Sequence, residues 1–95
     1  MFLILFDYQV PLERIDELKD RHYTNPEGVF ARGLVRLAGR RVPRTGGLVI
    51  AEGDRATVEA AVASDPFVTS GAATVEIIEF EPTWPLSDPS GQQGL

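Results

Sequence analysis

The sequence predicts an α+β domain with the element order β-α-β-β-α-β. Four short apolar stretches have strand character, two stretches with helical spacing separate them, and a turn rich in Pro and Gly joins the middle two strands. Ninety-five residues fit one domain, because two domains would need about 200.

The first half of the chain begins with a strand and continues into helix. The segment Phe2–Tyr8 is short and apolar, which is typical of a strand. After Pro11, apolar residues recur at a spacing of three and predict a helix: Leu12, Ile15 and Leu18. Asn25 and the proline after it have the pattern of an N-cap and a first helical position, so a second short helix is expected over 26–32, with Gly33 ending it.

The second half repeats the pattern after a hairpin. Strands are predicted over 34–38 and 47–51, with residues 39–46 as the turn between them. Asp54 is predicted to cap a helix that runs from 55 to about 64.

The proline at 66 is expected to end that helix, and Thr74 to Glu81 alternates as a last strand. This order corresponds to the ferredoxin-like plan, with a four-stranded antiparallel sheet and both helices on one face. The domain is expected over 1–84, and residues 85–95 read as a low-complexity, mobile tail.

Composition excludes several classes of function. Nine Lys and Arg against fourteen Asp and Glu give 9 − 14 = −5, which disfavours nucleic acid and anionic membranes as partners. No apolar run approaches the ~20 residues that span a bilayer, and the apolar N-terminus lacks a basic start, so a cytoplasmic location is expected. With one His and no Cys, the sequence predicts no cofactor and no metal site, although a carboxylate-only metal site stays open.

Both faces of the predicted sheet are apolar. In the first strand Phe2, Ile4 and Phe6 point to one face, and Leu3 and Leu5 point to the other. Helices on one side would leave the second face uncovered, so we expect a homodimer or a higher homo-oligomer that packs sheet to sheet. The alternative is that some of these side chains are simply exposed.

His22 and Asp65 are the candidate catalytic residues. An imidazole exchanges a proton near neutral pH, and a carboxylate beside it could orient the ring. Alternatively, His22 is structural and Asp65 makes only a local turn bond before the proline. The sequence leaves open whether the two meet. A packed helix after His22 would put both at one rim, whereas a packed helix before it would put His22 at the opposite rim.

The hairpin turn carries three arginines, and the first strand ends in a tyrosine. Arg40, Arg44 and Tyr8 are the candidate substrate-binding residues, because a guanidinium could hold a carboxylate or phenolate. Arg41 and Asp7 are weaker candidates. The alternative is that the arginines are solvated or meet a neighbouring subunit.

Several short motifs together resemble the YciI-related domain family over about residues 1–84: His22, Gly33, Gly39, the segment 42–47, Asp65-Pro66-Phe67, Gly71, Glu76 and Glu79. The resemblance implies a ferredoxin-like protomer in a dimeric α/β barrel, with a His of the first helix and an Asp acting together in a cleft. His22 matches that His. Some members place the Asp after the second strand, where this chain has no acid, so Asp65 is the matching carboxylate.

Most members of that family have no assigned activity. One relative removes chloride from a chlorinated hydroxyhydroquinone, and muconolactone isomerases share the barrel more distantly. The resemblance therefore implies a lyase or isomerase that moves a proton on a small oxygenated or aromatic-derived compound. The alternative is a non-catalytic dimeric domain that binds a metabolite or a protein partner.

Overall fold

The computed structural model describes residues 1–85 and confirms the α+β, ferredoxin-like plan. Its four strands form one antiparallel sheet in the order β2-β3-β1-β4. The elements follow the chain as β1 Phe2–Tyr8, α1 Leu12–Thr24, β2 Val35–Arg40, β3 Gly46–Ala51, α2 Arg55–Ala63, α3 Pro66–Thr69 and β4 Ala73–Glu79. The predicted tail after residue 85 lies outside the described residues.

One hydrophobic core joins the helices to a single face of the sheet. β1 alternates as predicted, so that its Phe2, Ile4 and Phe6 are buried. They share a cluster with apolar residues of α1 and α2: Ile15, Leu18, Val58, Ala61 and Val62. The helical spacing therefore correctly identified Ile15 and Leu18 as core residues, whereas Leu12 of the same row is exposed.

The hairpin between β2 and β3 depends on a close approach at Gly46. Gly46 pairs with Asp7 of β1, and a Cβ at this position would lie 1.8 Å from the carbonyl oxygen of Phe6. Only glycine fits there. Because Gly46 also accepts a hydrogen bond from the Arg41 amide, the hairpin end is held against the end of β1.

The prediction of a second short helix over 26–32 is wrong. The segment winds through consecutive turns, with the Arg32 amide donating to the Gly28 carbonyl and the Leu34 amide donating to the Val29 carbonyl. Glycine at 28 is a weak helix former, and Val29 is buried in the core, so packing rather than helical regularity shapes the segment. Gly33 does end it, with φ +72°.

The chain between α2 and β4 also differs in detail from the expectation. α2 ends at Ala63, and Asp65 begins a third helix instead of only ending the second. The Asp65 carboxylate accepts from the Phe67 amide, which caps this four-residue helix. Strand boundaries shift by one or two residues: β2 extends to Arg40 and β4 starts at Ala73.

The second face of the sheet carries apolar side chains that none of the helices in residues 1–85 covers. Leu3 pairs with Ile50 on one side and Ile78 on the other, so these three side chains point the same way. Leu37 continues the row on β2 and is 66% exposed. We call this surface the open face. Within residues 1–85, no helix is long and apolar enough to cross a membrane.

Two leucines of α1 test which side of that helix stabilises the fold. Leu18 is 2% exposed, so Leu18→Ala should lower the free energy of unfolding by about 2–5 kcal/mol because it opens a cavity in the core. Leu12, at the start of the same helix, is 39% exposed, and Leu12→Ala should cost less than about 1 kcal/mol. Urea unfolding of both variants measures this difference, and equal losses would contradict this description of the core.

Candidate active site

The two predicted catalytic residues touch each other. Nδ1 of His22 lies 2.6 Å from Oδ2 of Asp65, a short charge-assisted contact. Both residues are buried, with exposures of 7% and 3%. Among residues 1–85, these two are the buried residues that have polar or charged side chains. A buried carboxylate and imidazole need partners, and here each supplies one to the other.

The sequence left open which helix packs, and the structure shows that it is α1, the helix that contains His22. The expectation that this arrangement would place His22 at the opposite rim from Asp65 is wrong, because the two side chains are in contact. α2 has nine residues, about 13 Å, whereas a seven-residue strand covers about 23 Å. α2 therefore stops short of the rim, and Asp65 meets His22 in the last turn of α1 over the body of the sheet.

A second link ties the same two chain segments together. The Asn25 side-chain amide donates to the Ser64 carbonyl at 3.0 Å and to the Ser64 hydroxyl at 2.9 Å. Asn25 follows His22 by three residues, and Ser64 directly precedes Asp65. The ends of α1 and α2 are thus fixed to each other beside the pair, which limits movement of both functional groups.

The Asp65-Pro66-Phe67 segment now has a structural explanation. Asp65 uses Oδ1 to accept from the Phe67 amide at 2.8 Å, and this leaves Oδ2 for His22. Proline fits the first helical position because no backbone N–H is needed there. The Phe67 ring then stacks on the imidazole, with centroids 4.2 Å apart and an interplanar angle of 13°.

Other aromatic rings close around the imidazole. Phe6, Tyr23 and Phe30 present their edges or faces to it at centroid distances of 5.7, 4.9 and 5.2 Å. Phe67 and Phe6 also contact each other at 6.4 Å. The His22 ring is therefore held by packing as well as by its hydrogen bond, and it keeps one orientation.

The nitrogen of His22 that does not bind Asp65 is directed to a cavity. An ionised carboxylate only accepts, so Asp65 fixes the Nδ1–H tautomer and leaves the lone pair of the neutral ring on Nε2. No buried side-chain nitrogen or oxygen in residues 1–85 lacks a partner, and His22 lines the cavity.

The cavity lies between α1, the turns after it and the helix-facing side of the sheet. Its volume is about 350 Å³, at the small end of ligand-binding cavities. It is lined by Phe6, Tyr8, Lys19, His22, Tyr23, Phe30, Ala38, Gly39, Arg40, Gly47, Leu48, Val49 and Phe67. No cluster of three or more potential metal-ligating His, Asp or Glu side chains occurs in the part of the chain that the structure describes.

The three hairpin arginines have different surroundings. Arg40 lines the cavity. Arg44 donates to Asp16 of α1, and Arg41 donates to Asp7 on the other side of the sheet. Of the arginines predicted to bind substrate, Arg40 therefore shares a cavity with His22, whereas Arg44 is already engaged by a carboxylate.

Tyr8 also lines the cavity, as a neutral group. Burial raises the pKa of its phenol, and the nearby Arg44 guanidinium opposes that rise only in part. Its ring packs edge-on against Phe67 at 6.1 Å. At neutral pH the Tyr8 hydroxyl can thus donate a hydrogen bond to a bound molecule.

Sequence reasoning missed Lys19, Tyr23 and Phe30 as cavity residues. Lys19 could have been found, because it precedes His22 by three residues on a helix and so shares its face. Tyr23 and Phe30 carry no comparable signal. Phe30 reaches the site because residues 26–33 form turns, which the predicted helix did not describe.

Comparison with known proteins identifies the family. The model of the YCII-related domain matches residues 1–81. The chain belongs to the YCII-related domain family. Among curated proteins no sequence matches this YCII-related chain.

A solved structure supports the fold of this YCII-related protein. 5-Chloro-2-hydroxyhydroquinone dehydrochlorinase from Burkholderia phenoliruptrix AC1100, determined in complex with 2,5-dihydroxybenzoquinone, superimposes with a TM-score of 0.65. The alignment covers 85% of this chain and 94% of the dehydrochlorinase, at 17% sequence identity. At that identity the likeness is one of fold.

The structural contribution of Asp65 can be tested apart from any activity. Asp65→Ala removes the acceptor for two buried donors, the Phe67 amide and His22 Nδ1, and should lower the free energy of unfolding by about 1–3 kcal/mol. Asp65→Asn keeps an acceptor oxygen for the amide and should lose less.

Asp54→Ala is the matched control in chemical denaturation, because Asp54 also caps a helix by accepting from the Thr57 amide but is exposed. Its loss should be smaller than that of Asp65→Ala. If the two alanine variants lose equal stability, the buried contact with His22 contributes nothing.

Proposed function

We propose that this protein is a small-molecule lyase or isomerase in which His22 transfers a proton on an oxygenated ring compound. The observation that carries the proposal is the buried contact of 2.6 Å between Nδ1 of His22 and Asp65, with His22 lining an aromatic-walled cavity. A positioned imidazole can take a proton from a substrate and return it. Asp65 orients the ring and stabilises the imidazolium while the ring holds that proton.

The cavity supports a flat, ring-shaped substrate. Tyr23, Phe30 and Phe67 provide aromatic surface beside His22, and Tyr8, Lys19 and Arg40 add polar groups to the lining. In an elimination, Nε2 of His22 would accept a proton, the electron pair of that bond would form a new π bond, and an anion such as chloride would leave. In an isomerisation the same proton would return to another atom.

The dehydrochlorinase with the similar fold supports this class of substrate. That protein is named for a reaction on a chlorinated hydroxyhydroquinone and was determined with 2,5-dihydroxybenzoquinone. The shared fold alone does not transfer the activity, so the proposal for this chain depends on its own pair, cavity and aromatic walls.

We further propose that two copies pack through the open face. Its apolar residues lie on all four strands and include Leu3, Leu37, Ile50 and Ile78. A patch of this kind is costly to leave in water, and a second copy supplies a complementary surface by two-fold symmetry. A chain of 10.4 kDa would then occur in solution at twice that mass.

The catalytic role of His22 is tested by turnover. Chlorinated and unsubstituted hydroxyhydroquinones and ring-derived lactones form the substrate panel, followed by absorbance and chloride release. His22→Gln should lower turnover at least about 100-fold, because general acid–base catalysis contributes about that much or more. Arg36→Gln, an exposed change on β2 outside the cavity lining, is the control and should retain activity.

Full turnover by His22→Gln would exclude the acid–base role. If no panel compound turns over but 2,5-dihydroxybenzoquinone binds equally to wild type and His22→Gln, the protein is a binding domain rather than an enzyme. Thermal unfolding of each variant separates loss of function from loss of fold.

A single charged substitution tests the dimer that we propose at the open face. Leu37→Glu puts a carboxylate into the proposed contact and should shift sedimentation from the dimeric to the monomeric mass. Val42→Glu, at a hairpin residue that is 96% exposed, should leave the mass unchanged. A wild-type protein that sediments as a monomer at high concentration would contradict this assembly.

A further inference from the structure

The charged side chains that line the cavity have the opposite sign to the net charge of the chain. The chain has a net charge of −5, yet among residues 1–85 no Asp or Glu lines the cavity beside His22. The permanently charged residues that do line it are Lys19 and Arg40. Two cations on the lining itself favour an anionic ligand, while the Asp65 carboxylate is already hydrogen-bonded to His22.

Lys19 and Arg40 also differ from most other cations in having no ion pair. Five arginines contact carboxylates: Arg14, Arg36, Arg41, Arg44 and Arg55. Across residues 1–85, no carboxylate makes an ion-pair contact with Lys19 or Arg40. Their charges are therefore available to a bound molecule.

Asp16 lies near both cations but makes its ion pair with Arg44. The hydrogen bond from Arg44 holds the pKa of Asp16 below its usual range, and the charges of Lys19 and Arg40 lower it further. Asp16 therefore interacts with Lys19 and Arg40 only through space, and their donor groups are not occupied by its carboxylate.

The two cations approach the cavity from different elements. Lys19 lies one helical turn before His22 on α1, and Arg40 ends β2, one of the two edge strands of the sheet. Both are exposed, so their side chains can adjust to a ligand. A carboxylate or ring oxygen anion between them would receive charge-assisted hydrogen bonds from both sides.

We propose that the cavity selects anionic one-ring compounds, with the anionic group bound by Lys19 and Arg40 while the ring lies against the aromatic wall and faces Nε2 of His22. This inference rests on the proposed function. It adds the charge of the substrate and names the two residues that bind the charged group. Lys19 sets this specificity together with Arg40, whereas Arg44 does not contribute directly.

The test compares two probes of nearly equal shape, 2,5-dihydroxybenzoate and its neutral amide, 2,5-dihydroxybenzamide. Calorimetric titration should give at least tenfold tighter binding for the acid, which is about the value of one charge-assisted hydrogen bond. Lys19→Met and Arg40→Met should each weaken acid binding about fivefold without changing amide binding. Arg36→Gln, at an exposed residue that does not line the cavity, should bind the acid as wild type does.

Equal affinity for acid and amide, or acid binding that survives the double variant Lys19→Met/Arg40→Met, would overturn the inference. Failure to bind the acid at millimolar concentration would overturn it as well. The outcome is independent of catalysis: a cavity that prefers the acid while His22→Gln keeps full turnover refutes the proposed chemistry only. Equal affinity for the acid and the amide, together with loss of turnover in His22→Gln, refutes the anion site only.

Discussion

A single buried contact, between the imidazole of His22 and the carboxylate of Asp65, constrains the rest of this structure. Both groups lie under the helices, where an unpaired charge or hydrogen-bonding group is costly. Phe67 contacts both groups. Its backbone amide donates a hydrogen bond to Asp65, and its ring stacks on the imidazole of His22. The short α3 follows from this arrangement, because the same carboxylate that holds the imidazole also caps the helix.

The architecture was largely predictable because it depends on hydrophobic periodicity. Alternation in β1 and spacing in α1 identified the buried Phe2, Ile4, Ile15 and Leu18, and Asp54 was correctly predicted as an N-cap. The segment 26–32 was not, because its turns are shaped by the burial of Val29 and by a glycine inside it. Local patterns carry no information about such tertiary packing.

Some residues of the candidate site could be selected from the sequence, but their arrangement could not. His22, Asp65, Tyr8 and Arg40 stood out by residue type, motif or position, yet whether the first two meet depends on helix length. α2 ends after nine residues, and that length, not the rim at which a helix starts, brings them together. Lys19 escaped notice because a single lysine on a charged helix face looks like a solubilising residue until the cavity beside it is known.

Asp65 fixes one tautomer of His22 and leaves Nε2 to accept a proton. This tautomer can be measured from the side-chain nitrogen chemical shifts of His22, by long-range proton–nitrogen correlation NMR at a pH where the ring is neutral. The structure predicts a protonated Nδ1 and an unprotonated Nε2, and this preference should be lost in Asp65→Ala. A wild-type ring that carries its proton on Nε2 would show that Asp65 does not fix the tautomer.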